Sequence, residues 1–421
     1  MKSSDKKIAN SIGIINYHNG LHNGVIWKHL QTEYGPLEFA FEFLAGAWSQ
    51  DRTLPGLAHF HEHMVIKESQ NHLDESLTDN LYSRLGIRRN ASTAVDVMTI
   101  VFAAPDVAAS KKAAEVIYDK IANPLFLKKR LDTERGAIQA ELKQRAANPI
   151  IEMYNQYTNL LMTGELQDYS VLGGNPEVIE RINSEAVIKH HEIVKANGLS
   201  QIVTVGPVDS SELGAIIRRF TKSFPSARCK LSVEIPRGNH DFSHSGGQNL
   251  VRIGYSEHGS LSLREVVGVR ILKKLLTSGQ TSYLFDLLRN KNGRVYSVSG
   301  ASSVYQNWYD LSVQTSFRER TTRREVDEIF SLIEKDFLVW LTPQKLRDFQ
   351  ENQKNVAVMN FETNHSKLMQ TTTLNESGDE ANVLTELNIL MSITFEELIK
   401  MAQRLLIQKN RFSILMNALS E

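Results

Sequence analysis

The chain has 421 residues, too many for one ordinary domain and about right for two. Apolar content of 41% and charged content of 23% are normal for a globular protein. Lys plus Arg equals Asp plus Glu at 48 each, and no basic run interleaves with aromatics, so neither a polyanion nor nucleic acid is implied as a partner.

Residues 8–30 read as strand, turn, strand, with His18-Asn19-Gly20 as the turn. Residues 37–45 alternate: Leu37, Phe39, Phe41 and Phe43 fall on one face, Glu38, Ala40 and Glu42 on the other. Such alternation suits an antiparallel sheet with one face covered and the other in water. After a loop at 51–55, Pro55 and Gly56 open a helix expected to reach about Ser69.

That helix holds His59-x-x-Glu62-His63. Two histidines four apart on a helix put both rings on one face, a ready ligand pair for a borderline-soft cation. Glu62 lies within reach of a water on such a cation without being a ligand. This is the inverted zinc-peptidase pentad. The competing interpretation is a helix with surface histidines. His61 should point off the metal face.

Downstream, residues 93–103 are rich in β-branched side chains and read as a long strand or hairpin. The small and polar Asn90, Ala91, Ser92 and Thr93 at its start suit an edge that another chain could approach. Helices follow at 107–122, ended by Asn123-Pro124, and at 131–147, ended by Asn148-Pro149. The second carries Glu134 and Glu141, seven residues apart and so facing the same way. Either could be the third ligand of a two-histidine zinc site, and chemistry does not choose between them. With Cys229 as the one cysteine, a multi-cysteine site and an internal disulfide are both excluded.

Residues 150–162 and 176–197 read as helical, with the adjacent pair His190-His191 expected at the surface. A buried-type strand at 201–208 and a helix at 210–220 close the first domain, 1–224. The Pro- and Gly-bearing stretch 225–248 reads as a linker, with His240 and His244 exposed to solvent. From 249 to 421 the order strand, helix, hairpin, helix, helix begins again without the pentad, so the chain reads as two halves of one fold. The N-terminus lacks the apolar run of a signal peptide, and no stretch approaches the ~20 apolar residues that span a bilayer. A cytoplasmic protein without a membrane partner is expected.

The stretch 56–64, Gly-Leu-Ala-His-Phe-His-Glu-His-Met, together with Asn90-Ala91-Ser92-Thr93 and Glu134 with Glu141, resembles the pitrilysin/insulinase family of zinc peptidases. Within that family the chain resembles bacterial relatives of the mitochondrial processing peptidase. The resemblance implies zinc (one Zn2+ per chain) held by His59, His63 and Glu141, with Glu62 as general base and Glu134 supporting the site. It matches Arg289 and Tyr296 to the family's Arg and Tyr spaced by seven. An Arg suits a peptide carbonyl or carboxylate, and a phenol can donate to an oxyanion. It also implies an α+β fold of two similar domains, each a mainly antiparallel sheet with helices on one face.

The expected activity is zinc-dependent endopeptidase, acting on peptides or unfolded segments inside a chamber closed by a homodimer or by a related partner chain. A peptide substrate would add as a strand at 90–93. The alternative is a non-catalytic, substrate-holding subunit, and the presence of every ligand, the base and the Arg/Tyr pair favours the enzyme. The chain departs from the family at His61, usually apolar there, and at Val65-Ile66-Lys67-Glu68-Ser69, where only the Lys is kept.

Overall fold

The computed structural model describes residues 9–419, apart from 168, 228, 230–233, 246, 306–307 and 374–381. The first eight residues, used above in judging a signal peptide, and part of the 225–248 span lie outside the described residues.

In chain order the first elements are β1 (Ile14–His22), β2 (Val25–Thr32), β3 (Leu37–Phe43), α1 (Leu57–Val65), α2 (Glu75–Leu85), β4 (Arg88–Thr93) and β5 (Met98–Ala104). Next come α3 (Val107–Ala122), α4 (Lys128–Ala146), α5 (Pro149–Thr163), α6 (Pro176–Arg181), α7 (Ser184–Asn197), β6 (Leu199–Gly206) and α8 (Ser210–Ser223). Then follow β7 (Gly238–His244), β8 (Asn249–His258), α9 (Leu263–Thr277), a π-helical segment at Phe285–Lys291, β9 (Val295–Tyr305) and β10 (Trp308–Phe317). The last are α10 (Arg323–Ser331), α11 (Phe337–Trp340), α12 (Pro343–Asn360), α13 (Asn364–Thr372), α14 (Val383–Ser392), α15 (Phe395–Leu405) and β11 (Arg411–Ala418). Among the described residues no helix is long and apolar enough to cross a membrane.

Two compact units result, and neither is a contiguous half. The first takes 1–143, 169–231 and 357–385, the second 144–168, 232–356 and 386–421. The first unit's sheet runs β1-β2-β6-β3-β5-β4 and the second's runs β7-β11-β8-β10-β9. In each, one parallel pair (β2 with β6, β7 with β11) sits in an otherwise antiparallel sheet. Dropping β1, the two orders superpose in topology, which is the internal repeat expected from the sequence. Strand β7 lies inside the stretch read as linker; His240 and His244 sit on it half-buried, each with Nε2 bonded to a backbone carbonyl.

The β1–β2 turn is Asn23-Gly24, both at positive φ, rather than His18-Asn19-Gly20. Each Asn-Gly suits a two-residue hairpin. Choosing the second lengthens the strands and sets Gly20 opposite Trp27, whose ring then packs against His18.

In the first unit Phe39, Phe41 and Phe43 are fully buried. Phe39 stacks on Phe102 at 4.4 Å and Phe41 on Phe220 at 4.2 Å, beneath α3 and α8. The opposite face does not meet water as expected. Helix α13 packs across β3 and β6 and leaves Glu38 and Glu42 2% and 5% exposed. Gln201 Nε2 donates to Glu42 and to the Thr372 carbonyl, and Asn364 Nδ2 to the carbonyls of Tyr34 and Pro36. The polar face of β3 is therefore covered by a helix about 330 residues away in sequence, where His365 Nδ1 lies 3.3 Å from Glu38 Oε2, and local periodicity does not reveal this. In the second unit α5 packs in the same way against β8 and β11.

Candidate metal centre

Helix α1 is started by an unusual cap. Gly56 adopts φ 91°, and a Cβ there would stand 2.6 Å from the Gly173 carbonyl oxygen, so glycine is required. The side chain of Gln50 supplies the cap: Oε1 accepts from the amides of Gly56 (3.2 Å) and Ala58 (3.0 Å), while Nε2 donates to the Val171 carbonyl. Nothing in the sequence pattern flags Gln50, which stands six residues upstream and outside any capping-box spacing. The helix ends at Val65, earlier than expected. The loop behind it is pinned by the Asp119 carboxylate, which accepts from Ser69 Oγ, from the Asn71 amide and side chain, and from Asn123 Nδ2. Burial opposes ionisation of Asp119, but these hydrogen bonds outweigh it and hold the group far below the usual carboxylate range.

Leu57, Phe60, Met64 and Val65 turn into the core, leaving His59 and His63 on the other face. Their rings lie 4.8 Å apart, edge to face. Helix α4 packs Leu131 and Ile138 inward, and Glu134 and Glu141 lie along the same side of it. Glu141 Oε2 is 3.6 Å from His59 Nε2 and 3.6 Å from His63 Nε2. Glu134 Oε2 lies 3.1 Å from the other nitrogen of His63, Nδ1. The ambiguity between the two glutamates is thus removed: Glu141 joins the imidazole pair, and Glu134 stands behind one of them. Among the described residues His59, His63 and Glu141 are the one group of three or more metal-ligating side chains whose donor atoms lie within 4.8 Å of one another.

The donor set fits zinc. Tetrahedral ligand distances of about 2.0–2.2 Å imply donor separations of about 3.3–3.6 Å, and an imidazole with its second nitrogen on a carboxylate is the usual outer support. Burial opposes charge on His63, but the hydrogen bond it donates to Glu134 and the charges of Glu62, Glu134 and Glu141 raise its pKa. Burial likewise opposes ionisation of Glu134, and the hydrogen bonds with His63 and Lys67 overcome it and keep the carboxyl below its ordinary value.

Glu62 is 7% exposed, and Thr93 Oγ1 lies 3.3 Å from its Oε2. Thr93 ends β4, the edge strand of the first sheet, so Asn90–Thr93 does form an open edge, and α1 packs against that strand. With the register Asn90↔Val101 to Thr93↔Met98, the outer side of β4 has no strand partner among the described residues.

His61 points away from the ligand pair as expected, and is fully buried. Its Nε2 is 3.0 Å from His191 Nδ1, and the His190 ring packs edge-on at 5.2 Å. His190 and His191 are 1% and 3% exposed, which corrects their expected surface placement. Helix α7 packs directly on α1, so both neighbouring positions are enclosed. Burial pushes both imidazoles down to about 4.

Arg289 and Tyr296 belong to the second unit. Arg289 lies on the π-helical segment with its guanidinium 5.1 Å from the Tyr296 ring centroid, and Tyr296 is 70% exposed on β9. The structure therefore pairs them, and Tyr296 is not the strand-core residue that a purely structural tyrosine would be.

Fold and site together describe a metallopeptidase-like chain of the inverted-pentad kind, with one motif-bearing unit and one topological repeat without it. Residues 39–163 match Insulinase (Peptidase family M16), and residues 181–338 match the Peptidase M16 inactive domain. The chain belongs to the pitrilysin/insulinase family. Similar proteins include a zinc protease of Rickettsia bellii, 24% identical over 267 residues, 62% of this chain and 63% of that one. The zinc protease PqqE of Helicobacter pylori is 22% identical over 357 residues, 82% of this chain and 79% of the other. The matches take in 63% and 61% of the lengths of the rickettsial relatives. In fold the chain resembles a protease from Helicobacter pylori, with TM-score 0.78 and 16% identity over 96% of this chain and 100% of that one. It equally resembles a peptidase M16 inactive domain from Pseudomonas fluorescens, with TM-score 0.77 and 15% identity over 96% and 99%.

Proposed function

We propose that this chain is a zinc-dependent endopeptidase acting on peptides or unfolded segments. The observation that carries the reading is the position of Glu141 Oε2, equidistant at 3.6 Å from Nε2 of both motif histidines. Bound there, zinc would supply Lewis acidity, lowering the pKa of a water to about 7 and polarising a peptide carbonyl. His59, His63 and Glu141 would hold it, and Glu134 fixes the ring of His63. Glu62, three residues after His59 and one before His63, takes a proton from the attacking water and returns it to the leaving amine. The Thr93 hydroxyl, 3.3 Å from Oε2 of Glu62, helps to orient that carboxylate. A peptide laid along the free edge of β4 would be held through its backbone, which favours extended, unfolded substrates.

The roles the resemblance gives to Arg289 and Tyr296 belong to the same proposal, as does assembly with a second or related chain. A substrate-holding subunit is the other reading; a complete donor set with its base in place weighs against it.

Glu62→Gln is the test. It should retain zinc and lose hydrolysis of an unfolded protein or peptide library by at least about 10³-fold, a loss of about 4 kcal/mol in transition-state stabilisation. Turnover at the wild-type rate with Glu62→Gln would remove the base from this scheme.

A further inference from the structure

Glu134 is itself held. Its Oε2 serves His63, and its Oε1 lies 3.1 Å from Lys67 Nζ. The same ammonium is 3.1 Å from Glu75 Oε1, at the start of α2. The second oxygen of Glu75 meets Arg130 Nη2 at 3.0 Å, and Arg130 also pairs with Glu68. The result is an alternating ladder, Glu68, Arg130, Glu75, Lys67, Glu134, that ends on the ring of a metal-ligating histidine. Its members come from three places: the loop just after α1, the first turn of α2, and α4. The side chains of Lys67, Glu75 and Glu134 are 19%, 17% and 8% exposed, so the contacts are sheltered from screening.

We propose that Lys67 is a positioning residue for the metal centre: its ammonium, clamped between Glu75 and Glu134, fixes the carboxylate that orients His63. This rests on the zinc reading above. The chemistry favours lysine. A carboxylate bonded through one oxygen only can swing about its Cγ–Cδ bond; an ammonium on the other oxygen stops that rotation. A compact cation with three donors can bridge two carboxylates of different helices at once. Glu134 then stays where His63 Nδ1 must donate to it, and His63 Nε2 is left facing Glu141 and the ion between them. Lys67 touches neither donor set nor substrate edge, so its effect reaches the ion through Glu134.

The test is zinc affinity, measured by competition with a chromogenic chelator, on the full chain without substrate. Lys67→Met should raise the zinc Kd about 10–100-fold, the usual cost of losing an outer support. Lys67→Gln, which keeps a donor and loses the charge, should fall between, and Lys67→Arg should recover most of the wild-type affinity. Glu134→Gln combined with Lys67→Met should bind no more weakly than Glu134→Gln alone, because both changes break one linkage. Melting of the metal-free proteins separates misfolding from lost positioning; if Lys67→Met does not fold, the Gln and Arg variants carry the comparison. Wild-type affinity in Lys67→Met, or losses that multiply in the double variant, would overturn the role of Lys67. A wild-type chain that takes up no zinc at all would instead remove the functional reading on which it rests.

Discussion

Thr93 shows how one side chain can serve two purposes. It closes the open edge strand and also touches the catalytic carboxylate proposed above, 3.3 Å away. Thr93→Val keeps the shape and strand propensity of the position and removes the hydroxyl. It should lower kcat about tenfold, the scale of one hydrogen bond to a charged group at about 1.5 kcal/mol, with zinc content unchanged. Steady-state kinetics beside metal analysis checks this; a rise in KM with kcat unchanged would make Thr93 a substrate contact only. His59→Ala and Glu141→Ala should each lose the ion, and one zinc per chain in either variant would exclude that residue as a ligand. His59, His63 and Glu62 were legible as a group because a helix turns the spacing His-x-x-Glu-His into one face. The choice between Glu134 and Glu141 was not: both lie on the same side of α4, and only the approach of α4 to α1 distinguishes them.

Elements set where those residues stand. Helix α1 begins against a left-handed glycine, where no Ser, Thr, Asn or Asp cap is present, and Gln50 substitutes for one. Gln50→Ala would leave two helix-start amides and the Val171 carbonyl without this partner in a buried place. It should cost about 2–3 kcal/mol, read as a lower urea midpoint, and weaken zinc binding along with it. Behind α1, the imidazoles of His190 and His191 are buried neutral, with folded-state pKa near 4 against about 6.5 in an unfolded chain. Below pH 6.5 the unfolded state therefore binds more protons than the folded one, so stability falls as pH drops from about 6.5 towards 4. Each pH unit of separation is worth about 1.4 kcal/mol per group. His190→Leu should flatten the dependence measured by denaturation at pH 7 and pH 5; an unchanged slope would mean that these rings are not the proton acceptors. Two adjacent histidines on a helix read naturally as a surface pair. What hides them is the packing of α7 on α1, a contact between segments 130 residues apart that leaves no periodic trace.

At the scale of the whole molecule, the repeat of strand, helix and hairpin was legible because each half carries its own alternating and 3.6-residue patterns. The exchange of covering helices was not. The first sheet is closed on its second face by α13, from the C-terminal part of the chain, and the second sheet by α5, from the N-terminal part. Glu38, Glu42 and Gln201 would be exposed together if residues 1–224 were expressed alone. Such a fragment should be aggregation-prone, and co-expression with 225–421 should return it to solution; a soluble, cooperatively melting 1–224 fragment would contradict the account. The same reasoning explains why Glu38 and Glu42 read as solvent-facing: their polar character is real, but Glu38 meets His365 of a distant helix, and Glu42 accepts from Gln201 of β6, which also donates to Thr372 at the end of that helix.

The central claim concerns three atoms on two helices. Anomalous diffraction at the zinc edge, on crystals grown with zinc, tests it most directly. The account predicts one strong peak at about 2.0–2.2 Å from Nε2 of His59, Nε2 of His63 and an oxygen of Glu141, lost in the Glu141→Ala protein. A peak held by other side chains, or one that survives Glu141→Ala unchanged, would contradict it.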